Sequence, residues 1–177
     1  MSYTLRTAEP ADAASLRLLI ERSARGLGAG FYTDLETEAA IRYVFGVDSR
    51  LIADRTYFVV ENATSIVACG GWSHRRTLYG GDQRPVGSRE ALVPGIDAAR
   101  IRAFFVAPEH ARRGIGRQLF TACHAAAAAA GFTRFELMAT LPGVPLYAAL
   151  GFVALESVTD LLPDGTSLAF VRMGREL

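Results

Sequence analysis

Hydrophobic and polar positions are patterned most clearly between residues 98 and 131, where the run ARIRAFFVAP passes through EHARRGIGR into QLFTACHAAAAAA. Ile101, Phe104, Phe105 and Val106 are β-branched or aromatic with no breaker among them, which predicts a buried strand over residues 99–106. Pro108 ends it, because proline cannot donate a ladder hydrogen bond. An alanine-rich helix follows, free of breakers to Ala130 and terminated at Gly131, with small side chains that permit close approach to a sheet. Residues 132–139 return as a strand after a short link, giving a β-α-β unit that should be right-handed.

The pattern on either side completes an alternating α/β chain. Residues 4–7 form a short first strand, and Pro10 starts a helix to about Ala24 with Leu16, Leu19, Ile20 and Ala24 on one apolar face. The Gly26 to Gly30 region ends that helix, and GLGAGFYT carries an aromatic pair, Phe31 and Tyr32, read as walling a pocket or as loop packing. A second helix is expected over 35–45, burying Ile41, Val44 and Phe45, then a short turn over 49–54. Strands at 56–61 and 66–74 make a hairpin about Asn62, and Gly70-Gly71 in its second strand predicts a bulge or a close approach by another group. Residues 75–97 are irregular, punctuated by Gly80-Gly81, Pro85, Gly87 and Pro94-Gly95. A short helix is expected over 146–150, then two antiparallel strands over 152–158 and 167–172 about a turn with Pro163, Asp164 and Gly165.

Length and composition narrow the function classes. At 177 residues, half of them hydrophobic, the chain 1–177 reads as a single domain with a sizeable core. A net charge of +1 argues against a general nucleic-acid binder, although arginines concentrate around the 75–97 loop and the glycine turn. Cys69 and Cys123 have no partners at metal-ligand spacing and read as buried residues of a reducing compartment. The start lacks the basic end and apolar stretch of a signal peptide, and no run is long and apolar enough for a bilayer. The expectation is a cytoplasmic protein with no membrane partner.

The turn at 112–117 carries the candidate chemistry. Gly114 and Gly116 let backbone come close to a bulky group, and a helix start leaves N–H groups unpaired. With Arg112, Arg113 and Arg117 they suggest a phosphate cradle, set against an ordinary tight turn with solvated arginines. The lysine and spacing of a P-loop are missing, and Leu119 stands where a dinucleotide fingerprint has its third glycine.

Element order, together with V-A-P-E-H-A-R-R-G-I-G-R at 106–117 and P-L-Y-A-A-L-G-F at 145–152, resembles the GCN5-related N-acetyltransferase (GNAT) superfamily. The resemblance implies a three-layer α/β fold with a mixed, mostly antiparallel central sheet, splayed central parallel strands and flanking helices. It implies acetyl-coenzyme A as acyl-donor cosubstrate, with backbone from Arg112 through Gly114, Ile115 and Gly116 to Arg117 holding the pyrophosphate. The family's leading Gln or Arg is Ala111 here, which removes one side-chain contribution. It further implies that the pantetheine arm lies against Phe104, Phe105 and Val106, with the Val106 N–H as donor to the thioester oxygen, and that Thr140 borders the arm where the family often has Asn. Tyr147 matches the tyrosine that protonates the leaving thiolate in many members, and a phenol is protonated near neutrality as that role requires. A homodimer is expected on the same ground.

A base for the acceptor amine is less legible. His74 and Glu136 are the titratable candidates, His74 because its reference pKa suits proton transfer, Glu136 because it lies in the strand bordering the cleft; for each, a structural or surface role outweighs the catalytic one. His110 falls in the cofactor turn and His124 inside the alanine helix, with no partner of ligand type, so no metal is expected. The function read from the chain is direct acetyl transfer to an amine of an unidentified acceptor, small molecule favoured over protein. The alternative is an acyl-coenzyme A-binding sensor or interaction module without turnover.

Overall fold

The structure, a computed structural model, describes residues 2–84 and 90–176. Its centre is a seven-stranded sheet of β1 (Thr4–Thr7), β2 (Tyr57–Glu61), β3 (Ile66–Ser73), β4 (Ala99–Val106), β5 (Arg134–Thr140), β6 (Val153–Leu161) and β7 (Ser167–Glu176). The spatial order is β1-β2-β3-β4-β5-β7-β6. Every neighbouring pair is antiparallel except β4 and β5. Those two are paired only at Ala99↔Phe135 and Arg100↔Glu136, and beyond these positions they part.

Helices cover both faces. On one lie α1 (Ala13–Gly28), α2 (Asp34–Tyr43) and α3 (Ser49–Ala53); on the other lie α4 (Ile115–Ala129) and α5 (Val144–Ala149). Leu16, Leu19 and Ile20 of α1 meet Tyr57, Val59 and Cys69 on the first face. Phe120, Cys123 and Ala127 of α4 meet Ile101, Phe135 and Leu137 on the second. Full burial of each large apolar side chain contributes about 1.5–3 kcal/mol, so the two cores hold the helices against the sheet. The mixed, mostly antiparallel three-layer fold expected from the chain is therefore the one observed.

Differences from the expected elements have local causes. Helix α1 runs to Gly28, past Gly26, because Gly26 is a packing residue: a Cβ there would collide with the ring of Pro108. Helix α2 starts one residue earlier, at Asp34, since Thr33 and Glu36 form a reciprocal capping box. It stops at Tyr43, leaving Val44 buried and Ile41 and Phe45 partly buried. The closing strands β6 and β7 reach Leu161 and Glu176, longer than local sequence suggests, because they pair with each other over Val153↔Gly174 to Leu161↔Ser167 and the end of β7 pairs with β5 as far as Arg134↔Glu176. Residues 75–84 and 90–97 are tied together, Arg75 bridging Ala91 and the Leu92 N–H donating to the His74 carbonyl at 2.7 Å. Pro85 and Gly87 lie outside the described residues.

Gly70 and Gly71 mark a bulge, as their pairing in sequence predicts: the β3–β4 register shifts between Cys69 and Gly71. A Cβ on Gly70 would strike the Phe104 ring, and one on Gly71 would lie 2.5 Å from the Thr56 carbonyl and 2.9 Å from Cδ2 of Tyr57. Two aromatic rings thus cross β3 at adjacent residues, one on each face.

Candidate active site

Where β4 leaves β5, a narrow cleft opens through the sheet. Its walls include Phe104 and Tyr147 from the α4/α5 side and Val44 and Met138 from the α2 side, with Phe105 and Thr140 between. The cleft measures about 70 Å³. It adjoins a larger cavity of about 600 Å³ between α3 and residues 77–84, the two sharing Arg102 and residues 78–81. A cleft that passes between sheet faces allows two molecules to approach one point from opposite sides.

Tyr147 stands at that point. Pro145 in the first turn of α5 fixes the backbone, and the ring packs against Phe104 and Phe152 at centroid distances of 6.1 and 5.8 Å. Its hydroxyl has no hydrogen-bond partner among the described residues. Burial raises the phenol well above its ordinary pKa, so the group is protonated at neutral pH. Thr140 lies beside it: a Cβ on Gly143 would sit 3.1 Å from Thr140 Oγ1 and 3.2 Å from the Tyr147 ring.

The turn before α4 forms the second part of the site. Arg112 and Gly114 both adopt left-handed backbone, with φ of 62° and 80°. Gly114 is the N-cap, supplies no side-chain cap, and leaves the first intrahelical bond to Gln118. The N–H groups of Ile115, Gly116 and Arg117 are therefore available to an anion, with the exposed Arg112, Arg113 and Arg117 around them. The residues present fit a pyrophosphate here, because donors and positive charge converge without a competing acid in the turn. The two glycines do different work. A Cβ on Gly114 would meet nothing within 4 Å, so that residue is needed for its conformation. A Cβ on Gly116 would lie 2.8 Å from Leu146 Cδ2, so Gly116 serves the contact of α4 with α5.

Several expected residues are placed elsewhere or engaged. The Val106 N–H, expected to meet a thioester oxygen, donates to Ser23 Oγ of α1 at 3.2 Å. His74 is beyond the end of β3, level with Ala99 by the register of Ser73 with Arg100, and so about 17 Å along the strand from Phe104. Its ring packs on Trp72 and its Nε2 is 3.9 Å from Asp54. Glu136 does face the side of Met138 and Thr140, but at the closed end of the cleft, where it pairs with Arg100 at 3.0 Å and Arg172 at 3.3 Å. Protonating it would break both pairs. Neither residue is brought to Tyr147, and the cleft lining holds no carboxylate or imidazole among the described residues.

The remaining polar candidates are structural. His110 is buried and its Nδ1 is 2.9 Å from the Tyr3 hydroxyl, which removes it from the phosphate turn. His124 packs between Phe120 and Phe135. Cys69 is buried with its thiol pushed up to about 12, and burial raises Cys123 as well, so neither is a ready thiolate. The arginines near the larger cavity are mostly neutralised: Arg75 by Asp54, Arg84 by Asp160 and Arg102 by Asp48. Of the aromatic pair, Phe31 is exposed, whereas Tyr32 is buried, its hydroxyl donating to the Ala169 carbonyl at 2.7 Å and accepting from the Leu141 N–H at 2.9 Å.

Residues missed in the sequence differ in how well they were signalled. Ser23 falls in the apolar stripe of α1, spaced from Leu16, Leu19 and Ile20, and a polar residue there needs a partner. Arg102 in a central strand was a comparable signal, and Asp48 is its partner 54 residues away. Tyr57 gave none, because what it reaches is two strands away.

A two-sided sheet split at one parallel pair, with an anion-ready helix start packed against α5 and the buried phenol of Tyr147 in the split, defines the acyl-coenzyme A class of folds. The chain belongs to the acetyltransferase (GNAT) domain family, whose model matches residues 53–154. Among solved structures it is similar to a GCN5-related N-acetyltransferase from Rhodopseudomonas palustris, at 21% identity and TM-score 0.73, covering 100% of this chain and 97% of that one. It is also similar to the PaiA N-acetyltransferase of Thermoplasma acidophilum, solved with coenzyme A, at 13% identity and TM-score 0.67 over 100% of both chains. YncA of Salmonella typhimurium, solved with its cofactor acetyl-CoA, matches at 16% identity and TM-score 0.64 over 100% of this chain and 95% of that one. No curated protein sequence matches the chain.

Proposed function

We propose that this chain transfers an acetyl group from acetyl-coenzyme A directly to the amine of a small molecule. The observation that carries the reading is the cleft where β4 and β5 part, with the Tyr147 hydroxyl inside it unpartnered among the described residues. Family membership and the fold shared with coenzyme-bound neighbours support it. In this reading the backbone at 112–117 holds the pyrophosphate and β4 backbone aligns the pantetheine arm, whose amide displaces Ser23 from the Val106 N–H. The amine lone pair attacks the thioester carbon, negative charge collects on the carbonyl oxygen, and the carbon–sulfur bond then breaks. Tyr147 gives its proton to the departing thiolate, and the proton lost by the amine passes to water, since no carboxylate or imidazole lines the cleft among the described residues. A cavity of about 600 Å³ beside the cleft suits a small acceptor. Arg75, Arg84 and Arg102 beside that cavity are each paired with a carboxylate of the chain, so their charge does not select for an acidic acceptor.

The absence of a base from the cleft lining among the described residues, together with Ala111, also suits a sensor that binds acyl-coenzyme A without turnover. Coenzyme A release, measured across amines, amino acids and peptides with cofactor binding in parallel, separates the two. Amine-dependent release is expected, and Tyr147→Phe should lower kcat by about tenfold or more while changing acetyl-CoA affinity little. Release should rise with pH towards the acceptor's own pKa, with no falling limb below about pH 10, because burial keeps Tyr147 protonated. Tight binding without release for any acceptor would leave the sensor reading.

A further inference from the structure

Ala103 is a non-glycine residue in left-handed backbone, φ 54°, at the bulge where β3 and β4 lose register. Such a conformation persists only when its surroundings hold it. Two fully buried groups do so. The Tyr57 hydroxyl is 3.2 Å from the Ala103 carbonyl oxygen and the Cys69 sulfur is 3.9 Å from it. Tyr57 belongs to β2 and reaches β4 by lying across Gly71, where a side chain would obstruct its ring.

The peptide after Ala103 is trans, so its N–H points opposite to that carbonyl. With the carbonyl drawn towards Tyr57 and Cys69, the Phe104 N–H points to the side that β5 has left. Strand alternation agrees: Phe105 is paired with Cys69, whereas the Val106 N–H leaves the ladder for Ser23, and Phe104 is two residues before Val106. We propose that Tyr57 is a positioning residue for acyl transfer, holding the Ala103 carbonyl so that the Phe104 N–H is aimed at the thioester oxygen. Phe104, and not the engaged Val106, then stabilises the charge that develops on that oxygen.

This inference rests on the acyl-transfer reading, and its test separates the two. The carbonyl stretch of acetyl-coenzyme A labelled with ¹³C at the thioester carbon is recorded free and bound to the intact protein. Binding to the wild type should lower the frequency; Tyr57→Phe should return it towards the free value. With any acceptor found by release assays, Tyr57→Phe should lower kcat about tenfold and change the acetyl-coenzyme A dissociation constant by less than about threefold. Adding Ala103→Gly to Tyr57→Phe should restore both, since glycine adopts the left-handed conformation without a strut. A wild-type band identical to that of free acetyl-coenzyme A overturns the proposal without any variant, as does a band unmoved by Tyr57→Phe. Failure of the wild type to bind acetyl-coenzyme A overturns the acyl-transfer reading itself, and the proposal with it.

Discussion

Gly114 shows how one residue type is chosen for backbone and not for space. Its φ of 80° is left-handed, and a Cβ there would touch nothing within 4 Å. Gly114→Val therefore costs conformational energy, about 1–2 kcal/mol, without a clash in the ligand-free protein. The cheapest relief is rotation of the turn, which misaims the N–H groups of Ile115, Gly116 and Arg117. The expected outcome is acetyl-coenzyme A binding weakened by about tenfold or more in a protein that still folds, measured by calorimetry beside thermal melting. Unchanged affinity would move the phosphate site away from this turn. The sequence pointed to both glycines, but it could not show that Gly116 also makes room for Leu146, a side chain 30 positions later.

At the scale of elements, the loop between β3 and β4 is held by one buried charge pair. Arg102, 5% exposed, donates to Asp48 at 2.8 Å and to the carbonyls of Thr77 and Gly80 at 3.0 and 2.6 Å. Asp48 also caps α3 by accepting from the Arg50 and Leu51 N–H groups at 3.1 and 3.4 Å. β4, α3 and residues 77–80 thus share one contact beside the cleft. Asp48→Ala leaves the guanidinium buried without its counter-ion, and urea unfolding should show a loss of about 3–5 kcal/mol. Pairing it with Arg102→Met should recover part of that loss, because an apolar chain needs no partner. An unaltered midpoint in Asp48→Ala would mean the loop is held by other contacts.

For the whole molecule, two carboxylates paired with arginine tie the helical layer to the sheet, at the edge strand β1 and just past the end of β3. Asp12 receives two bonds from Arg6, at 2.8 and 2.9 Å, and Asp54 receives two from Arg75, each 2.7 Å. These hydrogen bonds hold both carboxyls below the usual carboxylate range. A folded pKa lower than the unfolded one adds stability that is fully present above about pH 4 and is lost as pH falls towards the folded values. Melting temperature should therefore be flat from about pH 7 to 5 with respect to these groups and decline below about 4. Asp12→Asn and Asp54→Asn should each flatten that decline; an unchanged acid profile would assign it to other carboxylates.

The strand at 99–106, the alanine-rich helix, the hairpin with its Gly70-Gly71 bulge and the glycine turn were all legible in the sequence, because each depends on neighbours within a turn or a pleat. A local motif also singled out Tyr147, which the fold places in the lining of the cleft between β4 and β5. The sequence did not disclose which groups would be consumed by partners. Glu136 is held by Arg100 and Arg172, the Val106 N–H by Ser23, and the Ala103 carbonyl by Tyr57, over separations of 36 to 83 residues. Periodicity fixes which side of an element a residue occupies, since sterics act over a few bonds. Whether a hydrogen-bonding group is left open for a substrate depends on what the fold brings within about 3 Å of it, and that distance is set only when the sheet has assembled.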